Sequence, residues 1–155
     1  MIDALVRAVY FLGYRAFRFW WYLRRPQVHG AFVAVWHEGE LLLIRNSYRD
    51  GETLPCGRIE AGETPRAAAR RELREEVGID APETELREAS DFALEFEFRL
   101  DRASIFEYHP AVRPAVKVDR REVVWGEFVD ESELAERPLV PHVERYLASR
   151  RATSG

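Results

Sequence analysis

Residues Gly57–Ile79 read GRIEAGETPRAAARRELREEVGI, and local signals place a helix in the second half of this stretch. Pro65 suits a first helical turn and Gly78 falls just past the last helical residue, so the helix is expected over Thr64–Val77. Within it Glu72, Glu75 and Glu76 stand at i, i+3 and i+4, which projects three carboxylates from one face. Like charges so placed cost about a few tenths of a kcal/mol per pair. That cost makes sense if a hard divalent cation binds between them, and oxygen-only ligation suits Mg²⁺ or Mn²⁺ and not zinc. The competing reading is a solvated acidic face buffered by Arg70, Arg71 and Arg74. The segment ahead of the helix, Gly57-Arg58-Ile59-Glu60-Ala61-Gly62-Glu63, puts two glycines and a further acid into a tight loop where backbone can approach a ligand.

Working outward, Val28–Trp36 is β-branched and aromatic, Glu38-Gly39 offers a turn, and Glu40–Arg45 resumes an apolar run, the pattern of a hairpin. Asn46–Thr53 is a polar loop. Beyond the central helix, Leu94, Phe96, Phe98 and Leu100 alternate with Glu95, Glu97 and Arg99, the period of a half-buried strand with which Ser104–His109 can pair. Glu122–Val129 reads as another strand, and Pro141–Arg150 as a closing helix with Val143, Tyr146 and Leu147 on one face. Strands alternating with helices imply an α/β domain, its mixed sheet covered by helices. We divide the chain into an N-terminal helix (1–26), the main domain (27–150) and a tail (151–155).

The 155 residues, 46% hydrophobic and 32% charged, describe one globular domain. Cys56 is the single cysteine, which excludes a disulfide-stapled secreted fold, and makes a reducing, cytoplasmic setting the default. The net charge of −4 is unevenly spread: residues 1–25 hold five Arg and one Asp, leaving −8 on the remainder. An acidic body argues against a nucleic-acid partner.

The basic segment 2–23 is rich in Val, Leu, Phe, Tyr and Trp, but Arg7, Arg15 and Arg18 interrupt it well short of a membrane span. It also lacks a secretory cleavage pattern. A helix of about six turns, nearly encircled by apolar residues and stopped before Pro26, fits best. Three roles stay open for residues 1–25: packing on their own domain, a homodimer contact, or lying on the inner membrane face, where Trp20 and Trp21 beside Arg24 and Arg25 suit an anionic interface.

The stretch Gly57–Ile79 resembles the signature of the Nudix hydrolases. That pattern is Gly, five residues, Glu, seven residues, Arg-Glu, an aliphatic residue, any residue, Glu-Glu, any residue, Gly and an aliphatic residue. Gly57, Glu63, Arg71, Glu72, Leu73, Glu75, Glu76, Gly78 and Ile79 meet every fixed position. The resemblance implies an α/β/α sandwich and a metal-dependent pyrophosphohydrolase cleaving a nucleoside diphosphate derivative. It implies that Glu72, Glu75 and Glu76 hold Mg²⁺, that Arg71 pairs with Glu63, and that Glu75 or Glu76 polarises the attacking water.

Family members differ in their base, and Glu122 is a candidate extra carboxylate, an exposed acid at a strand start being the alternative. Many members have Pro-Gly-Gly where this chain has Pro55-Cys56-Gly57. The Cys56 carbonyl can still face a metal if its φ is negative, whereas its thiol has no dedicated base. Arg45 and Arg58 are candidate phosphate contacts because guanidinium forks match phosphate oxygens, with surface ion pairs as the alternative. Phe92, Phe96, Phe106, Tyr108 and Trp125 are candidates for base stacking or core. Two other functions remain: a catalytically silent nucleotide-sensing or docking domain, which has no chemical need for the like-charge cluster, and a Nudix-fold isomerase of isoprenoid diphosphates.

Overall fold

The computed structural model describes residues 2–154, and the side chains of residues 4–153. In chain order the main elements are α1 (Ile2–Arg24), β1 (Gln27–His37), β2 (Glu40–Asn46), β3 (Cys56–Arg58), α2 (Pro65–Val77), β4 (Arg87–Phe96), β5 (Arg99–Tyr108), β6 (Val123–Asp130) and α3 (Pro141–Ser154). The strands form one mixed sheet in the order β4-β5-β1-β2-β6, with β3 paired to β1. The β1–β5 pairing is parallel over Gln27–Val35 and Leu100–Tyr108, and the other ladders are antiparallel.

Alternation along β1 sorts its side chains between two cores. Ala31, Val33 and Val35 pack against Ala68, Ala69, Leu73 and Val77 of α2 on one face. Phe32, Ala34 and Trp36 pack against Val143, Tyr146 and Leu147 of α3 on the other. The result is the expected α/β/α sandwich, with α2 packed beside β1 and β3.

The β1–β2 turn falls at Glu38-Gly39, both with positive φ as a two-residue hairpin turn requires. The sequence pattern misleads at Leu94–Leu100. The alternation there is not one strand: the chain reverses at Glu97-Phe98, both again at positive φ. Neither is a usual turn residue, but α1 holds both, with the Tyr14 hydroxyl donating to Glu97 and Tyr22 set edge-on to Phe98 at 5.3 Å. Tertiary contact overrides local preference. At the other end α3 continues to Ser154, so residues 151–154 are helix rather than tail.

α1 ends as expected before Pro26, with Arg25 at φ 43° and its N–H bonded to Trp21 O at 2.7 Å. It is fastened to the body along one stripe. Tyr14 packs on Tyr48 at 4.9 Å, the Arg99 guanidinium sits 4.0 Å from the Trp21 ring centroid, and Arg18 pairs with Glu97 at 3.8 Å. The remaining faces are bare: Leu12, Phe19 and Leu23 are 61–66% exposed. No helix among the described residues is long and apolar enough to cross a membrane.

Candidate active site

α2 begins at a Thr64 cap, whose Oγ1 accepts from Ala67 N at 3.1 Å. It ends in Gly78 at φ 70°, with Gly78 N donating to Arg74 O at 3.1 Å and Ile79 N to Leu73 O at 3.4 Å. A left-handed residue closed by such crossed bonds is a Schellman terminus, and glycine takes that φ without a Cβ clash. Both ends being fixed, the orientation of the acidic face is fixed too.

Arg71 locks the preceding loop onto α2. Its Nε and Nη2 donate to Glu63 Oε1 and Oε2 at 3.0 and 2.9 Å, and Nη2 also donates to the Arg58 carbonyl at 3.0 Å. Its Nη1 donates to Glu72 at 2.5 Å and lies 3.6 Å from Glu75. These anions hold the guanidinium pKa above its ordinary value, with the Glu63 bonds the foremost cause and the Glu72 bond adding to it. The Arg71–Glu63 pairing is as the resemblance implied.

The glycine of β3 makes a second close approach. A Cβ on Gly57 would lie 1.9 Å from Glu72 Oε1, so only glycine lets the Glu72 carboxylate rest against this strand. Next to it Cys56 N donates to Glu76 Oε2 at 2.8 Å. Val33 N bonds Pro55 O and Ile59 N bonds His29 O, so Cys56 lies at a non-hydrogen-bonded position of the β1–β3 ladder. Its N–H and C=O therefore both face away from β1, and the carbonyl shares the side taken by Glu76. Cys56 is absent from the residues with positive φ, so its substitution for glycine introduces no backbone strain. Burial pushes its thiol up to about 12, which leaves no thiolate for nucleophilic work near neutral pH.

Glu76 is 7% exposed. Burial drives its pKa well above the carboxylate range, Glu72 and Glu122 push it further, and the Cys56 N–H opposes them. Burial likewise raises Glu72, against the pull of Arg71. Glu75 is 54% exposed, on the solvent side of the cluster. Glu122 joins this field from the start of β6, where its Oε1 accepts from the Tyr48 hydroxyl at 3.1 Å. Among the described residues no three His, Cys, Asp or Glu side chains close on a single point suited to an ion. Glu72 is turned to Arg71 and Glu76 to the Cys56 amide. The chemistry of the set suits a hard cation: oxygen donors only, with Glu76 buried and Glu72 half-buried against Arg71.

Beside the carboxylates opens a cavity of about 820 Å³, bordered by Cys56, Gly57, Arg58 and Glu122 and roofed by α1. Arg58 lines it, and its guanidinium makes no ion pair among the described residues. Arg45 does not. It is bound to Glu52 Oε1 at 2.8 Å, and Glu52, fully buried, is also gripped by Arg137 at 2.7 and 2.8 Å. The structure thus gives Arg45 to an ion-pair network that anchors the 46–53 loop. That loop supplies two cavity residues sequence reasoning missed, Tyr48 and Arg49; a polar loop carries no periodicity to flag them. None of the five strand aromatics proposed for stacking lines the cavity, whereas Phe32, Tyr48 and the rings of α1 do. Phe106 and Tyr108 are core.

A helix of clustered carboxylates, clamped by an Arg–Glu pair to a glycine loop on a mixed sheet, defines a Nudix-type domain. The NUDIX domain model matches residues 26–149, and the chain belongs to that family. An 8-oxo-dGTP diphosphatase of Haemophilus influenzae is 44% identical over 54 residues, which are 35% of this chain and 37% of that relative's length. The MutT protein from Methanosarcina mazei superposes with a TM-score of 0.72 at 22% identity, over 84% of this chain and 98% of its own. The NUDIX domain of Shewanella oneidensis NrtR, solved with ADP ribose, gives 0.72 at 13% identity, over 83% and 89%. At these identities the structural matches speak for the fold. The family model begins at residue 26, after α1.

Proposed function

We propose that the protein is a pyrophosphohydrolase that cleaves the diphosphate linkage of a nucleoside diphosphate derivative with the help of Mg²⁺ or Mn²⁺. The observation that carries this is the Gly57–Glu72 contact: a backbone position stripped of its Cβ so that a half-buried carboxylate can stand against it, beside the buried Glu76 carboxylate held by the Cys56 amide. Glu72, Glu75 and Glu76, with the Cys56 carbonyl, are the groups that would hold the cation. When bound there, a divalent cation supplies screening of the diphosphate charge and Lewis acidity at phosphorus.

The chain's own residues do the rest. Arg71 holds the loop that carries Arg58, and Arg58 lines the cavity with a guanidinium that has no ion-pair partner among the described residues and suits a phosphate. Burial gives Glu76 a raised proton affinity, the property of a group that takes a proton from an attacking water. Glu122, oriented by Tyr48, is a further carboxylate able to receive one. The relative that hydrolyses 8-oxo-dGTP and the neighbour that binds ADP ribose both handle small nucleotides, consistent with this substrate class. Divalent-dependent turnover of a nucleotide panel, lost in Glu76→Gln, tests the reading.

The bare faces of α1 favour one partner for residues 1–25. A helix whose outer surface exposes Leu12, Phe19, Trp20 and Leu23 beside Arg15 and Arg24 fits an anionic membrane surface. Co-sedimentation with anionic vesicles is expected and should be weakened in Phe19→Glu/Leu23→Glu. A concentration-dependent dimer in sedimentation velocity, with no vesicle binding, would contradict it.

A further inference from the structure

The cavity beside the carboxylates has two chemically different walls. The body side is the mixed one: Arg49, Arg58, Arg99, Arg102, Asp101 and Glu122 line it beside Val28 and Phe32, with Arg99 paired to Asp101 and Arg102 to Asp91. On the α1 side it presents Leu5, Val6, Val9, Phe17 and Trp21, with two Tyr and Gly13 between them and no charged residue. From Leu5 to Trp21 the helix rises about 24 Å, so this wall is a long trough rather than a cap over one group. Aliphatic side chains and Phe offer no hydrogen-bond partner to a base or sugar. An apolar chain gains from such a wall simply by leaving water.

Two features show that the trough is not merely imperfect packing. Tyr10, Tyr14, Arg18, Trp21 and Tyr22 each make specific contacts with the body, which hold α1 across the cavity mouth. Midway along the roof stands Gly13, an unfavourable residue in a helix interior, and a Cβ built there meets nothing within 4 Å. The helix is anchored over open space rather than collapsed onto the sheet.

We propose that the substrate is a nucleoside diphosphate ester bearing a long apolar chain, its diphosphate at Arg58 and the carboxylates and its chain laid beneath α1. This rests on the hydrolase reading given above. A water oxygen forms a bond to one phosphorus while the bond from that phosphorus to the bridging oxygen breaks. The bridging oxygen keeps the electron pair and leaves on the other phosphate. The products are a nucleoside monophosphate and the phosphate monoester of the chain, and both protons of the water pass to solvent by way of the carboxylates.

The test compares ethyl and octyl esters of ADP, each below its aggregation concentration, on the full-length protein with Mg²⁺. Each methylene buried is worth about 0.8 kcal/mol, about fourfold, so kcat/KM for the octyl ester should exceed that for the ethyl ester by about tenfold or more. Gly13→Leu, which fills the open space with a better helix former, should lower that octyl-to-ethyl ratio by about tenfold. Equal turnover of the two esters, or a ratio unmoved by Gly13→Leu, overturns the chain-binding proposal and leaves the hydrolase reading intact. No turnover of either ester or of soluble nucleotides overturns the hydrolase reading, and this proposal with it.

Discussion

Gly57 and Glu72 stand so close that a Cβ on the glycine would lie 1.9 Å from the carboxylate oxygen. A methyl group there displaces Glu72, because the alternative is to move β3 out of register with β1. We expect Gly57→Ala to lower kcat/KM by about a hundredfold, the usual consequence of moving a reacting group by about 1 Å. The fold should survive at a cost of about 1–3 kcal/mol. Steady-state kinetics beside a thermal melt separate the two effects, and wild-type turnover in Gly57→Ala would contradict the placement of Glu72.

Arg71 is expected to matter to stability as well as to activity. Its loss unpairs Glu63 and Glu72 and frees the loop carbonyl of Arg58. Arg71→Ala should cost about 2 kcal/mol, roughly 4–8 °C in Tm for a domain of this size. Arg71→Lys should recover little of it, since an ammonium cannot span both Glu63 oxygens and the carbonyl together. A melt of Arg71→Lys coinciding with wild type would show that the fork geometry is unimportant.

Glu76 gives the metal-free protein a pH dependence of definite sign. Its folded pKa lies well above the ordinary 4.5 because burial and the neighbouring carboxylates disfavour its charge. Between these two values the folded state holds a proton the unfolded state has released. Stability should therefore fall as pH rises above about 4.5 towards the folded pKa. In the presence of chelator Glu76→Gln should melt higher than wild type at pH 8, and the gap should close towards pH 4. Glu72, raised by burial, acts in the same direction. A divalent cation should restore the wild type at pH 8 and do less for the variant.

The role we propose for Cys56 is carried by its backbone. With the thiol pushed up to about 12 and the amide engaged by Glu76, Cys56→Ser should retain turnover within about threefold of wild type. Iodoacetamide should likewise leave the folded enzyme active. An inactive Cys56→Ser that still binds the cation would give the side chain a role that this geometry does not.

The sequence revealed the parts of the site that depend on spacing. Thr64, Pro65 and Gly78 mark the ends of α2, and three glutamates on one turn share a face whatever the tertiary structure. Contacts that depend on distant chain segments were less legible. Arg45 reads equally as a phosphate contact or a surface ion pair, and only the fold brings the buried Glu52 beside it. Tyr48 and Arg49 sit in a loop without periodicity, and the tertiary contacts of that loop alone bring them to the cavity. The turn at Glu97-Phe98 hides inside an alternating pattern because α1, not local preference, fixes its two positive φ angles. The position of α1 itself was one of three open readings, since an apolar helix does not announce which stripe it will bury.

The function we propose for the carboxylates of α2 and the cavity beside them is divalent-cation-dependent cleavage of a diphosphate bridge. The most direct measurement is phosphate release, through a coupled phosphatase or pyrophosphatase, from nucleoside triphosphates, nucleotide sugars, dinucleoside polyphosphates and ADP-ribose. Wild type and Glu76→Gln are compared with Mg²⁺, Mn²⁺ or chelator. We predict turnover of at least one class that requires the cation and falls by at least about a hundredfold in Glu76→Gln. Silence of the wild type across the panel with both cations, or equal turnover by Glu76→Gln, would contradict the account.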